Sequence, residues 1–166
     1  MPNWCYINLE FEGPESEIKS ILESNLDFDA IFPTPMELLR LPEETSDEIK
    51  RMMISKYGSS DWYSWRVTNW GTKWPVGDDL HKEIIQINST RFEARIVTAW
   101  SLPTGVLKRL SSLHPQTTIT MVDCEEEAGF FVGGYKILNG SIIEDTVHEP
   151  TRTELLERGL ICEEDE

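Results

Sequence analysis

The chain is short of basic residues and of long apolar runs. It has 15 Lys and Arg against 30 Asp and Glu in 166 residues, a formal net charge of −15. Binding to long nucleic acid needs clustered Lys and Arg to neutralise phosphates, and polybasic docking to anionic membranes needs the same residues. No apolar run approaches the roughly 20 residues of a membrane-spanning helix. The composition therefore disfavours a binder of long nucleic acid and a membrane protein.

The sequence also lacks the phosphate-binding, dinucleotide-binding and nucleophile-elbow motifs of common enzymes. Its histidines, His81, His114 and His148, are far apart and have no metal-ligand spacing. The carboxylates of Asp123 and residues 125–127 do not follow the EF-hand pattern and are typical of a solvated turn. We therefore predict no catalytic residues, no metal site and no cofactor.

Cysteine is rare and widely spaced. Cys5, Cys124 and Cys162 are odd in number and form no CxxC pair, which argues against a disulfide framework or a thiolate zinc site. The first residues show no basic segment followed by an apolar stretch, the mark of a secretory signal. Together these features predict reduced, mostly buried thiols in a cytoplasmic protein.

The first residues alternate between apolar and polar side chains. The alternation over residues 3–11 predicts a half-buried strand whose outer face carries Trp4, Tyr6 and Asn8. Pro14 then suits the first turn of a helix. Either solvent or the insertion that follows the first helix must cover the outer face of this strand.

An insertion over about residues 26–81 follows the first helix. Residues 26–45 are irregular because their prolines prevent long regular structure. Ser46 or Asp47 is a suitable N-cap for a second helix, and Gly58 is a suitable stop. A tryptophan-rich stretch then spans residues 61–74.

The second half of the chain predicts strands over residues 82–88 and 91–100, a helix from Pro103, and a strand over residues 117–123. An acidic turn is expected at residues 125–127. The Asn-Gly pair that follows a further strand is a strong hairpin signal, and it predicts an added C-terminal hairpin.

The order of these elements predicts an α+β fold. Without the insertion, the order is βαββαβ, which is that of a ferredoxin-like antiparallel sheet with helices on one face. We expect a single ferredoxin-like domain over residues 1–150. Residues 151–166 would add a short helix and an acidic, frayed tail.

Four segments occur in an order that is typical of a known family. They are residues 1–8 (MPNWCYIN), 31–35 (IFPTP), 69–74 (NWGTKW) and 98–101 (TAWS). Together with a Glu-rich turn and a Phe-x-Gly strand, they resemble the YubB-like ferredoxin-like domain family of small phage, plasmid and mobile-element accessory proteins. The likeness covers about residues 1–143 and departs at Leu102, where the family usually has a second proline. It implies the fold and a mobile-element origin, but no established activity and no catalytic residues.

The tryptophans are the feature that most needs explanation, since six occur in one short chain. Indole rings stack on heterocycles, Asn69 can pair with a base edge, and Lys73 can meet a phosphate. We therefore predict a non-enzymatic protein that sequesters a small nucleotide-like ligand, and the mobile-element resemblance points to blunting of a host-defence signal. The predicted ligand-binding residues are Trp4, Tyr6, Asn8, Asn69, Trp70, Thr72, Lys73, Trp74 and Trp100.

Two other interpretations of these residues stay open. Each tryptophan buries a large apolar surface, so the stretch is also suited to a second core in which Asn8 and Asn69 satisfy turns around Gly71. Exposed tryptophans would equally suit a surface for a host protein.

The acidic residues allow a further alternative. Residues 125–166 hold 12 acidic and 3 basic residues, a net charge of −9, whereas the first 124 residues have a net charge of −6. One hypothesis is an acidic inhibitor or DNA mimic, whose carboxylates imitate phosphates to occupy a host nuclease or regulator. The other is a solvated tail that favours solubility. An enzyme of unknown reaction is the remaining alternative.

Overall fold

The structure is a computed structural model that describes residues 3–75, 82–126 and 129–162. The strands are β1 (Trp4–Glu12), β2 (Lys82–Asn88), β3 (Arg91–Ala99), β4 (Thr118–Glu126), β5 (Val132–Leu138) and β6 (Ser141–Asp145). The helices are α1 (Glu15–Glu23), α2 (Phe28–Ile31), α3 (Met36–Leu39), α4 (Asp47–Tyr57), α5 (Trp62–Trp70), α6 (Thr104–Leu113) and α7 (Arg152–Glu157).

The six strands form one antiparallel sheet in the order β2-β3-β1-β4-β5-β6. The first four strands have the ferredoxin-like order, with α1 and α6 as the crossover helices. The α+β class predicted from the sequence is therefore confirmed. Strands β5 and β6 extend the sheet through a hairpin, where Asn139 and Gly140 both have the positive φ that such a tight turn requires.

Alternation along β1 separates a core face from an outer face, as the sequence predicts. Ile7 and Phe11 are buried, and Phe11 stacks on Phe92 of β3 with ring centroids 4.2 Å apart. Tyr6 and Asn8 point to the other face and are exposed. The helices pack on the core face, so this outer face of β1 remains open at Tyr6 and Asn8.

The described part of the insertion joins the helical layer instead of covering the outer face. Trp70 at the end of α5 belongs to the same apolar core as Ile7 of β1. The helices α5 and α6 meet at Gly105, where an added Cβ would lie 1.7 Å from the carbonyl oxygen of Asn69. Because glycine has no Cβ, the two backbones approach closely and the insertion packs tightly against α6.

The tryptophan-rich stretch is helical over most of its length, which the sequence analysis did not predict. Asp61 caps α5 by accepting a hydrogen bond from the backbone N–H of Ser64 at 2.8 Å. Gly71 ends the helix in the left-handed conformation, with φ +91°. Residues 26–45, which the sequence predicts to be irregular, contain two single-turn helices, α2 and α3. By contrast, α4 begins after Ser46 and ends at Gly58, as predicted.

The prediction of an acidic turn at residues 125–127 is wrong for Glu125 and Glu126. Strand β4 continues through Glu125 and Glu126, which pair with Tyr6 and Cys5 of β1. Backbone pairing with β1 outweighs the low strand propensity of glutamate, since propensity is a weak preference. Glu127 lies outside the described residues.

We expect Gly105→Ala to lower the free energy of unfolding by about 3 kcal/mol, because the new methyl group overlaps the Asn69 carbonyl. Gly58→Ala is the matched control. A Cβ added at Gly58 would have no atom within 4 Å, so only the positive φ opposes the substitution, at a cost of about 1 kcal/mol. Urea denaturation measures both values. Equal losses in the two variants would contradict the close packing of α5 on α6.

Candidate binding site at the tryptophan end of the sheet

Two loops meet where β1 begins and β3 ends. Thr72, just after α5, is fully buried and donates a hydrogen bond from its hydroxyl to the carbonyl oxygen of Ala99 at 3.0 Å. Ser101, just after β3, donates one to the carbonyl oxygen of Gly71. These two bonds join the end of the insertion to the end of β3, and we call them the clasp. The clasp sets the position of the residues that follow Thr72.

Trp100 is held in an unusual backbone conformation at this junction. Its φ is +68°, and its backbone N–H donates to the carbonyl oxygen of Asn3 at 2.9 Å. The left-handed region costs a residue with a Cβ about 1–2 kcal/mol. The residue is nevertheless 46% exposed, so burial compensates only in part for this strain. Strain at an exposed aromatic residue points to a role in binding.

Lys73 lies between two indole rings. Its Nζ is 3.7 Å from the ring centroid of Trp74 and 3.5 Å from that of Trp100. These distances are well inside the roughly 6 Å limit of a cation–π contact. We call the rings of Trp74 and Trp100 the cage. The ring centroids of Trp4 and Trp74 are 6.5 Å apart with planes tilted by 41°, and together these four residues form the tryptophan cluster.

Four of the nine predicted site residues thus meet in one cluster: Trp4, Lys73, Trp74 and Trp100. All four reach solvent, and Trp74 is 39% exposed. Tyr6 lies two residues beyond Trp4 on the outer face of β1 and is 46% exposed. The cluster and Tyr6 therefore form an exposed aromatic surface.

The structure buries Trp70 in the core and Thr72 in the clasp, which corrects their prediction as ligand contacts. Trp70 is fully buried, and its Nε1–H donates to the carbonyl oxygen of Phe32 at 2.8 Å. Asn69 is half-buried, and its Nδ2 donates to the carbonyl oxygen of Trp65 at 2.9 Å. An indole needs burial and one hydrogen-bond acceptor, and the core supplies both for Trp70. The second-core interpretation thus holds for Trp70, though not for Trp74.

Arg66 supports Trp70 from inside the insertion, and the sequence analysis missed it. Its guanidinium lies 4.3 Å from the ring centroid of Trp70, with hydrogen bonds to Thr34 at 2.9 Å and Asp29 at 2.8 Å. Burial lowers the pKa of Arg66, while Asp29 acts in the opposite direction. The sequence shows that Asp27 can cap α2 and that Arg66 lies one helical turn from Trp62 and Trp70. It does not show that Arg66 pairs with Asp29, because the two residues belong to distant segments of the chain.

Asn8 lies apart from the cluster, on the outer sheet face. It borders a shallow depression of about 230 Å³ whose rim includes Glu93 and Arg95. Charges on this face are paired across strands, with Arg95 3.4 Å from Glu83. Drug-sized ligands usually occupy concave sites of about 300–1,000 Å³. The depression beside Asn8 is smaller than that, which makes it a poor candidate for a ligand site.

The acidic residues of β4 are paired with an arginine from the C-terminal segment. Arg158, just after α7, contacts both carboxylate oxygens of Asp123 at 2.8 and 2.9 Å and Glu125 at 3.0 Å. The Asp123 carboxylate, more than Glu125, raises the pKa of Arg158. A charge-assisted fork of this kind fixes the C-terminal segment on the outer face of β4.

The buried cysteines are not poised for chemistry. Burial raises the pKa of Cys5 to about 12, and burial likewise raises the pKa of Cys124 to about 12. The thiolate is the reactive form, so neither thiol is a nucleophile near neutral pH. Over residues 3–75, 82–126 and 129–162, no group of three His, Cys, Asp or Glu side chains is arranged to hold a metal ion.

Within the same described ranges, no helix is long and apolar enough to cross a membrane.

No family model matches the chain, and no curated protein matches it. Its fold is similar to the crystal structure of a protein api92 from Yersinia pseudotuberculosis, whose family model is DUF1281. The TM-score is 0.56 at 9% sequence identity, and the match covers 91% of this chain and 99% of that chain. Likeness at this identity concerns the fold alone. The resemblance to the YubB-like family therefore stays a prediction.

We expect Trp100→Gly to be more stable than Trp100→Ala by about 1 kcal/mol. Both variants lose the indole, but only the alanine variant still has a Cβ, which destabilises a backbone conformation with φ +68°. In an ordinary strand the order is reversed, since glycine is less stable than alanine by about 0.5–1 kcal/mol. Ala99→Gly, at the preceding buried position, is the control and should be destabilising. Urea denaturation of the three variants is the measurement, and the usual order at position 100 would refute the strain.

We expect one fast-reacting thiol in the native protein at pH 8. Cys162 is exposed, whereas Cys5 and Cys124 are buried with a raised pKa. A thiol-disulfide reagent such as dithionitrobenzoate should label one thiol rapidly and the other two only after denaturation. Cys162→Ser should remove the fast phase. Rapid labelling that persists in this variant would contradict the burial of the other two.

Proposed function

We propose that the chain is a non-enzymatic binding protein of bacteriophage or mobile-element type that holds a small nucleotide-like ligand on its tryptophan cluster. The observation that carries this proposal is the partly exposed, tilted pair of rings of Trp4 and Trp74, which we call the wedge, with the Lys73 ammonium on the face of Trp74. The proposed place of action is the cytoplasm of the host.

The wedge has to open before it can hold a planar base. Carbon atoms in contact lie about 3.5 Å apart, so a ring held between two others needs a spacing of about 7 Å. The centroids of Trp4 and Trp74 are 6.5 Å apart with a 41° tilt, which is the geometry of two aromatic rings in contact. A small opening of the wedge would therefore admit one base, with an indole on each face.

Lys73 is the group in the cluster that can meet a phosphate. Its ammonium now rests on the faces of Trp74 and Trp100, and its side chain is half-buried. One cation offsets little of a net charge of −15. We therefore favour ligands of low charge, such as a mononucleotide or a cyclic dinucleotide, over a triphosphate.

The role in defence rests on analogy. Small accessory proteins of mobile elements, which the sequence resembles, are suited to sequestering a host signal without chemistry.

A protein partner is the second candidate, favoured by the exposure of Tyr6, Trp74 and Trp100. Tyrosine and tryptophan dominate the binding energy of many protein interfaces. DNA mimicry by the outer face is less well supported, because Asp123 and Glu125 are paired with Arg158. A mimic of phosphates needs carboxylates that are free to meet the partner.

We expect tryptophan fluorescence and calorimetry to detect a nucleotide among a panel of mononucleotides, cyclic nucleotides and cyclic dinucleotides. A micromolar binder present at millimolar concentration should add about 4 kcal/mol to the free energy of unfolding. Trp4→Leu should weaken binding about 5- to 150-fold, since stacking on an aromatic side chain contributes about 1–3 kcal/mol per base.

Tyr63→Leu is the matched control, because Tyr63 is an aromatic residue 42% exposed that is outside the cluster. It should bind like the wild type. Absence of any stabilisation across the panel would refute the nucleotide proposal. The protein-partner candidate would be favoured by two results together. No nucleotide of the panel binds, and a defined host protein is captured by the wild type and by Tyr63→Leu but not by Trp74→Leu.

A further inference from the structure

We propose that the cage of Trp74 and Trp100 is a binding site for an alkylammonium group of a ligand, and that Lys73 occupies this site as an internal stand-in. The ligand class is a quaternary or methylated ammonium, such as choline or a methylated lysine side chain. This inference goes beyond the nucleotide proposal and does not rest on it: the two share Trp74 and Lys73, but the cage needs Trp100 whereas the wedge needs Trp4.

The position of Lys73 is itself the evidence that the cage accepts a cation. Its Nζ lies 3.5 and 3.7 Å from two indole centroids. Lys56, by comparison, lies 5.0 Å from the single ring of Tyr57. Tryptophan has the strongest ring quadrupole of the aromatic side chains, and cages of such rings are the known means of recognising quaternary ammonium groups.

The cage is built before any ligand arrives. Trp100 has a strained backbone with φ +68°, and the clasp through Thr72 and Ser101 holds the two loops together. A preformed site lowers the entropic cost of binding, which otherwise consumes much of the gain from contacts. The strain at Trp100 thus has a function, since it places an exposed indole opposite Trp74.

The internal occupant can be exchanged. Within the described part of the chain, the Lys73 ammonium rests on the two rings, and both rings are partly exposed. Lys73 is adjacent to Trp74 in the chain, so its effective concentration at the cage is at least millimolar and an external cation must compete with it. The net charge of −15 attracts cations to the surface and repels anions.

The test uses choline as the probe and compares wild type with Lys73→Ala at constant ionic strength. Removing the tethered ammonium vacates the cage, so Lys73→Ala should bind choline at least about tenfold more tightly, as followed by tryptophan fluorescence. 3,3-Dimethyl-1-butanol, the uncharged analogue of choline, should bind far more weakly. Lys56→Ala is the matched control and should behave like the wild type.

Trp100→Leu, added to Lys73→Ala, should abolish choline binding, and thermal unfolding verifies that both variants fold. Nucleotide and choline titrations are separate measurements on the same variants, so the two proposals can fail separately. Equal choline affinity in the wild type and Lys73→Ala would overturn the inference. Binding that survives Trp100→Leu, or that is as strong for the uncharged analogue, would also overturn it.

Discussion

The hydrogen bond from the Thr72 hydroxyl to the Ala99 carbonyl is the contact on which the arrangement of the candidate site depends. Both residues are buried, and an unpaired carbonyl there would cost about 1–3 kcal/mol. The bond therefore keeps the end of the insertion beside the end of β3. Lys73 and Trp74 come directly after Thr72, and Trp100 comes directly after Ala99. The meeting of two distant segments in one cluster follows from this bond and its partner in the clasp.

The burial of Trp70 decides which side of the sheet the insertion occupies. Its indole fills the core and finds its hydrogen-bond acceptor at Phe32, while Gly105 of α6 allows the two helices to approach. The insertion consequently thickens the helical layer and leaves Tyr6 exposed on the outer face. On that same face, Arg158 neutralises part of the acidic excess of β4. Although the chain is acidic overall, the carboxylates of Asp123 and Glu125 on this face are therefore paired.

Local signals in the sequence were sufficient for much of the fold. The alternation over β1, the cap at Ser46 and the stop at Gly58 depend on neighbours in the chain, and the structure agrees with each. Helix α5 was missed although Asp61 and Gly71 are ordinary cap and stop residues, because the aromatic residues between them suggested a ligand site instead. The strand that runs through Glu126 was missed because its stability comes from pairing with β1.

The sequence by itself determined the α+β class, the two faces of β1 and the residue types that can take part in binding, since these follow from periodicity and side-chain chemistry. It named Trp4, Lys73, Trp74 and Trp100, but it also named Trp70 and Thr72, which are buried. Only the tertiary structure decided between these groups. The reason is that burial depends on what packs against a residue from elsewhere in the chain. Trp70 and Trp74 lie close in the sequence on either side of Gly71, yet Trp70 is in the core and Trp74 is exposed.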